Sequence, residues 1–164
     1  MIQSYIARKA LALHQKYHIT YFPITLHILE QMISDYNVTI KNIRNLNRMC
    51  IIDNELLTPR CYDSEIAYRT SLAHELGHII LHCSNYFFES RNSKARIERQ
   101  ANVLASYILM PPHQFEKICS EDENIFALSE YFGVDYDLVS LRKELILADP
   151  EYTYAYNKSP ELVL

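Results

Sequence analysis

The chain has 164 residues, 49% of them hydrophobic and 22% charged, and its formal net charge at pH 7 is -4. This length and apolar content are enough for one globular domain with its own core, and we expect a single domain over residues 1–164. Because the basic residues are spread out rather than clustered, the composition excludes the electrostatic signature of a protein that binds nucleic acid or an anionic membrane directly. A protein or small-molecule partner is expected instead.

Targeting signals and cysteine pairs are not recognisable in the sequence. Residues 1–18 have a helical apolar repeat but lack the long apolar run and the cleavage site of a secretory signal. No stretch approaches the length of a membrane span. The four cysteines, at positions 50, 61, 83 and 119, lie far apart and form no CxxC pair. We therefore expect a cytoplasmic protein with reduced thiols.

Apolar residues recur at helical spacing along much of the chain. The predicted helices cover residues 2–17, 24–35, about 65–83, about 94 to the Pro111-Pro112 pair, about 123–132 and about 135–147. Pro23 suits the first turn of the second helix, and Asp63 or Ser64 can cap the third. The last two helices form a C-terminal pair packed on the body of the domain, and a tyrosine-rich tail follows over residues 148–164.

Short strands are predicted between the second and third helices. VTIKNI at 38–43 and MCIID at 49–53 are rich in β-branched and apolar residues. Further extended structure can follow over residues 57–62, although Pro59 limits it to an edge strand or a loop. The sequence thus predicts an α+β fold that is mainly helical, with a small β-sheet.

The third predicted helix contains the stretch HELGHIILH at residues 74–82. Its apolar stripe consists of Leu72, Leu76, Ile79, Ile80 and Cys83. His74 and His78 fall on nearly the opposite side. Glu75 is the only charged residue between positions 71 and 83, whereas a solvated face normally carries several charges. We therefore expect this helix to be covered on both sides.

The spacing of His74 and His78 is typical of a metal site, because side chains at i and i+4 lie on one face of a helix. Glu75 is rotated by about 100° from His74, which makes it a poor third ligand but a well-placed general base for a water molecule. An HExxH pattern alone would occur by chance in roughly a few per cent of shuffled sequences of this composition. The interpretation therefore needs a third ligand.

Two positions close to the motif, 84 and 82, could in principle supply a third histidine ligand. A metzincin would require histidine at position 84, where the chain has Ser84. His82 is one more i+4 step along the same face, but three histidines in a row cannot surround one ion tetrahedrally without distortion. We interpret His82 as a supporting neighbour of the ligands.

Glu98 in the following helix is the better candidate. The apolar stripe of that helix is Ile97, Ala101, Leu104, Ala105 and Ile108. Glu98 borders this stripe on the side of the alanines, which allow another helix to come close. A connecting loop of about ten residues can bring Glu98 back against His74 and His78 to complete a His₂Glu site. The alternative is a solvated carboxylate at the helix edge that pairs with Arg96 or Arg99.

Gly77, one of only two glycines, stands inside the HExxH helix, where it costs about 1 kcal/mol against alanine. Its missing side chain would leave room for a neighbouring strand, a substrate backbone or the second helix to approach the metal face.

The two motifs together resemble the ImmA/IrrE family of minimal gluzincin metallopeptidases. The family pattern is an HExxH helix followed by a helix reading ExxANxFAxxLLMP, and this chain has HELGHIILH at 74–82 and ERQANVLASYILMP at 98–111. Two positions differ: Leu104 stands where phenylalanine is usual, and Gln100 replaces a frequent second acid. Glu98 is therefore the one acid of that motif able to bind the metal.

The resemblance implies a zincin-like fold and an intracellular zinc endopeptidase, often found in bacteria or their mobile genetic elements. Its substrate would be a helix-turn-helix repressor, whose cleavage relieves repression. By position, His74, His78 and Glu98 would bind Zn²⁺, Glu75 would be the general base, and Asn102 would support a ligand histidine. A strand from residues 38–57 could hold the substrate extended.

Two other functions remain open. Residues 127–145, ALSEYFGVDYDLVSLRKEL, have a glycine turn between short helices, as in a DNA-binding helix-turn-helix. Asp135 and Asp137 would begin the recognition helix, and these charges suit helix capping better than contact with phosphates. A peptidase-like module that sequesters a repressor or antitoxin without cleaving it is the other alternative. The oligomeric state, the cleavage site and the activating trigger do not follow from the sequence.

Overall fold

A computed structural model describes residues 2–81 and 91–148. Within these residues the helices are α1 (Ile2–Lys16), α2 (Leu26–Ser34), α3 (Glu65–Leu81), α4 (Arg91–Leu109), α5 (Pro112–Glu121), α6 (Ile125–Phe132) and α7 (Tyr136–Ala148). The strands are β1 (Thr39–Ile43), β2 (Cys50–Ile52) and β3 (Glu55–Pro59). The predicted class, α+β and mainly helical with a small sheet, is confirmed.

Internal contacts divide the chain into two compact units. The central unit is Thr25–Ala105 and contains α2, the three strands, α3 and most of α4. The terminal unit is Met1–Ile24 with Ser106–Leu164 and contains α1, the end of α4, and α5 to α7. All the residues predicted to carry chemistry belong to the central unit.

The sheet of the central unit has the order β1-β3-β2, with β1 parallel and β2 antiparallel to β3. Asp53 and Asn54 have left-handed backbone conformations, with φ of 49° and 62°, and they join β2 to β3 in a two-residue hairpin turn. The prediction that Pro59 restricts this segment to an edge or a loop is wrong, because β3 is the middle strand. Pro59 is tolerated as its last residue, and the next N–H, of Arg60, donates to Ile43 O.

Helices α2 and α3 pack against each other in the central unit. Their fully buried side chains include Leu29, Met32 and Ile33 from α2 and Leu72 and Leu76 from α3. Thr25 caps α2 by accepting from the Ile28 N–H, so this helix begins after Thr25 and Pro23 lies before its first turn, contrary to the prediction. Ser64 caps α3 by accepting from the Ala67 N–H.

Helix α5 of the terminal unit was not predicted. The pair Pro111-Pro112 ends α4, as expected, and also starts α5, with Pro111 at the N-cap and Pro112 in the first turn. Proline is favourable there because the N–H groups of the first helical turn have no partner within the helix, so a residue without an N–H loses no hydrogen bond. Phe115 of α5 is fully buried and stacks near Phe132 of α6, with ring centroids 5.8 Å apart.

Helices α6 and α7 are joined by a short turn at Gly133, whose φ is 61°. Asp135 caps α7 by accepting from the Leu138 N–H, which confirms that this charge serves the helix start. Arg142 of α7 is buried. In the part of the chain that the structure describes, no helix combines the length and apolar character needed to cross a membrane.

Candidate metal centre

Helices α3 and α4 approach closely at Gly77. A Cβ atom built on Gly77 would lie 2.7 Å from Ala101 O and 2.9 Å from Ala101 Cα, closer than real side chains tolerate against backbone. The sequence left three possible neighbours for Gly77, namely a strand, a substrate backbone or the second helix, and the structure places the second helix, α4, against it. The absence of a side chain at Gly77 therefore allows the backbones of α3 and α4 to come into contact beside the motif residues.

This approach places Glu98 of α4 against the two histidines of α3. Its Oε2 lies 3.3 Å from His74 Nε2, and its Oε1 lies 3.5 Å from His78 Nε2. The two Nε2 atoms are 3.0 Å apart, with the rings edge to face. One ligand atom from each of the three residues lies within 4.8 Å of the others, so this group can hold a metal ion.

The spacing and the chemistry of these donors fit zinc. Four ligands at about 2.0–2.2 Å from a tetrahedral Zn²⁺ stand about 3.3–3.6 Å from one another. The observed separations of 3.0, 3.3 and 3.5 Å are close to that range. Two imidazole nitrogens and one carboxylate are also a donor set that Zn²⁺ commonly takes while one position stays open.

Asn102, one turn after Glu98 on α4, fixes the orientation of His74. Its Oδ1 accepts from the His74 Nδ1–H over 2.6 Å. With its proton on Nδ1, the neutral imidazole presents a lone pair at Nε2, which is the atom that faces His78 and Glu98. A partner of this kind commonly supports metal-binding histidines.

The exposure of the three candidate ligands differs. The His74 and His78 side chains keep 23% and 14% of their surface, whereas Glu98 keeps 45%. The site thus opens toward solvent on the Glu98 side. At this exposure the Glu98 carboxylate retains part of its hydration, in keeping with its position at the edge of the α4 stripe.

Glu75 is half-buried beside this group and is not one of the three clustered donors. Burial and the negative charge of Glu98 raise the pKa of its carboxyl, burial being the larger effect, whereas His74 and Arg48 lower this pKa. The net direction is upward. A carboxyl with a raised pKa binds a proton more readily, which is what a general base needs.

The neighbourhood of Glu75 includes two residues that the sequence did not identify. Arg48 lies in the loop between β1 and β2, and Tyr62 lies between β3 and α3; both interact electrostatically with Glu75. Neither belongs to a recognisable motif, and their proximity to Glu75 depends on tertiary packing. His82, interpreted above as a supporting neighbour, lies outside the described residues.

Residues 26–143 match the sequence model of a peptidase family described as the IrrE N-terminal-like domain. The chain belongs to this family. The match covers more than half of the chain and includes both motif helices, so the predicted ImmA/IrrE relationship is confirmed. Membership in a family of metallopeptidases implies a metal, and the three clustered donors of this IrrE-like chain are close enough to bind one.

A solved structure of a Mycobacterium tuberculosis transcriptional regulator has a similar fold, with a TM-score of 0.66 and 13% sequence identity. The similarity covers 82% of this chain and 44% of the regulator. The IrrE-like chain thus spans less than half the length of that protein. No curated protein matches the chain.

Proposed function

We propose that this IrrE-like chain is a zinc-dependent endopeptidase that cleaves a regulatory protein, namely a helix-turn-helix repressor, and so relieves repression. The observation that carries the proposal is the convergence of His74, His78 and Glu98 from two helices. Family membership supports it independently.

His74, His78 and Glu98 would hold the metal, with Asn102 keeping the His74 ring in the required orientation. When bound, Zn²⁺ acts as a Lewis acid that acidifies water and polarises a carbonyl group. Gly77 contributes by allowing α4 to bring Glu98 within reach of the histidines.

Glu75 would act as the general base. It accepts a proton from the water that attacks the carbonyl carbon of the substrate, and it delivers that proton to the amide nitrogen as the carbon–nitrogen bond breaks. Its half-buried position suits both steps, because burial raises the pKa of the carboxyl and makes the protonated form accessible. The products are a new carboxyl terminus and a new amino terminus.

The sheet supplies two edges on which an extended peptide can be held. Strands β1 and β2 flank β3 and each has one side without a neighbouring strand in the described sheet. An extended segment can add to such an edge through backbone hydrogen bonds, which are independent of the substrate side chains.

DNA binding by the α6–α7 pair receives little support from the positions of its basic residues. Arg142 is 2% exposed; its Nε donates to Met110 O, and its guanidinium lies over the Tyr107 ring at 4.7 Å. Lys143 Nζ donates to Glu123 O. Because Arg142 is a core residue, its substitution would also destabilise the terminal unit, so duplex binding by the unaltered protein is the better test of this alternative.

The proposal is tested by searching the reading frame beside the gene for a helix-turn-helix repressor and incubating that neighbouring repressor with the purified chain and Zn²⁺. We expect two fragments whose masses sum to the repressor plus one water molecule. If the repressor instead stays intact but is bound and removed from its operator, the chain is a sequestering module. This is the second candidate, because members of the family can be non-catalytic regulators.

A further inference from the structure

The hydroxyl group of Tyr62 is unusual within the central unit. Its oxygen is buried and makes no hydrogen bond with the described residues. Among the described residues, two other buried side-chain atoms lack a hydrogen-bond partner, His14 Nδ1 and Glu116 Oε1, and both belong to the terminal unit. A buried hydroxyl without a partner destabilises the folded state, so its presence beside the candidate centre calls for a functional reason.

The ring of Tyr62 lies edge to face against Tyr68, with centroids 4.6 Å apart. Tyr68 is itself anchored, because its hydroxyl forms hydrogen bonds with Glu30 and Thr58. Thr58 Oγ1 in turn donates to Asn42 Oδ1 over 2.6 Å. Among the described residues, the hydroxyl of Tyr68 thus has hydrogen-bond partners, and the hydroxyl of its neighbour Tyr62 has none.

Electrostatics keep the Tyr62 hydroxyl protonated. Burial raises its pKa, and Tyr68 and the negative charge of Glu75 raise it further. The group is therefore a hydrogen-bond donor at physiological pH. The interaction with Glu75 also places the phenol in the neighbourhood of the proposed general base, near which the carbonyl group under attack must lie.

We propose that the Tyr62 hydroxyl is a catalytic hydrogen-bond donor to the carbonyl oxygen of the scissile peptide bond, on which negative charge develops during attack by water. This inference rests on the peptidase function proposed above. The phenol keeps its proton throughout, and no bond to Tyr62 forms or breaks. Because the hydroxyl is covered in the free chain, the ring has to turn toward the substrate when a peptide is bound.

The variant Tyr62→Phe removes the hydroxyl alone, and Tyr68→Phe is its matched control. In thermal unfolding, we expect Tyr62→Phe to melt at the parent temperature or above it, because the change removes no hydrogen bond to the described residues. Tyr68→Phe should melt at a lower temperature, since it removes the hydrogen bonds that the Tyr68 hydroxyl makes with Glu30 and Thr58. Equal destabilisation by the two changes would overturn the inference, because the Tyr62 hydroxyl would then have a structural role.

Cleavage of the neighbouring repressor provides the second readout. We expect Tyr62→Phe to lower kcat by about 10²- to 10³-fold, the usual effect of removing one oxyanion donor, with KM and zinc content unchanged. Tyr68→Phe at a temperature where it is folded should cleave at nearly the parent rate. If the parent cleaves, Glu75→Gln does not and Tyr62→Phe matches the parent, this inference is wrong and the proposed function stands. If the parent itself does not cleave, both are wrong.

Discussion

The replacement Gly77→Ala tests whether close helix contact builds the metal centre. The added Cβ would lie 2.7 Å from Ala101 O, whereas ordinary contacts begin at 3.4 Å, so α3 and α4 must separate locally by about 0.7 Å. Alanine gains about 1 kcal/mol in helix propensity, and overpacking against a backbone that cannot rotate away costs about 1–3 kcal/mol. We expect a net loss of up to about 2 kcal/mol in unfolding free energy.

Zinc affinity should fall more clearly than stability. Glu98 precedes Ala101 by one helical turn, so the same separation moves its carboxylate away from His74 and His78. We expect about a 10- to 100-fold loss in affinity, as when the groups that orient a ligand are disturbed. Competition with a chromogenic chelator measures it, alongside chemical unfolding of the metal-free protein.

Gly133→Ala is the matched control, because it also replaces a glycine by alanine but lies in the terminal unit, at a φ of 61°. It should destabilise the fold by about 1 kcal/mol through the left-handed conformation and leave zinc affinity unchanged. If Gly77→Ala binds zinc like the parent and is as stable or more stable, the reasoning about helix approach is refuted.

Three further predictions concern single side chains. Glu98→Ala should sharply lower zinc occupancy in elemental analysis, whereas Arg96→Ala should not; equal retention by both would favour the solvated-edge interpretation of Glu98. Asn102→Ala should weaken zinc binding by about 10- to 100-fold with little change in the melting temperature, because His74 loses its orienting acceptor; unchanged affinity would argue against that role. Burial lowers the pKa of His14 to about 4 despite its hydrogen bond to Ile108 O. Because the folded state favours the neutral ring, the unfolding free energy should fall as pH drops from about 6.5 toward 4. A His14→Gln variant with the same pH dependence would contradict this.

The motif helices could be predicted because their evidence is local. The i, i+4 spacing in α3 and the small residues of α4 indicate which faces meet, and the structure brings Glu98 to the histidines as those patterns suggested. The neighbour of Gly77 could not be chosen from the sequence, because a strand, a substrate and a helix would all require the same missing side chain. That choice depends on tertiary packing.

Other features were missed for reasons that can be stated physically. From the sequence, Pro59 argues against a central strand, yet proline is tolerated at the last residue of β3 because the next N–H, of Arg60, continues the hydrogen bonding to β1. The Pro111-Pro112 pair predicts a helix end, and the structure shows that the same residues also start α5. Arg48 and Tyr62 come near Glu75 through tertiary packing, and no spacing in the sequence indicates that proximity.

The most direct test of the peptidase account is the rate at which Glu75→Gln cleaves the neighbouring repressor, measured by mass spectrometry at the same zinc content as the parent. The substitution preserves shape and removes the base. We expect zinc binding and repressor binding to persist while cleavage falls by at least about 10²- to 10⁴-fold. Cleavage at the parent rate would contradict the mechanism, and relief of repression without cleavage by either protein would show that the chain acts by sequestration.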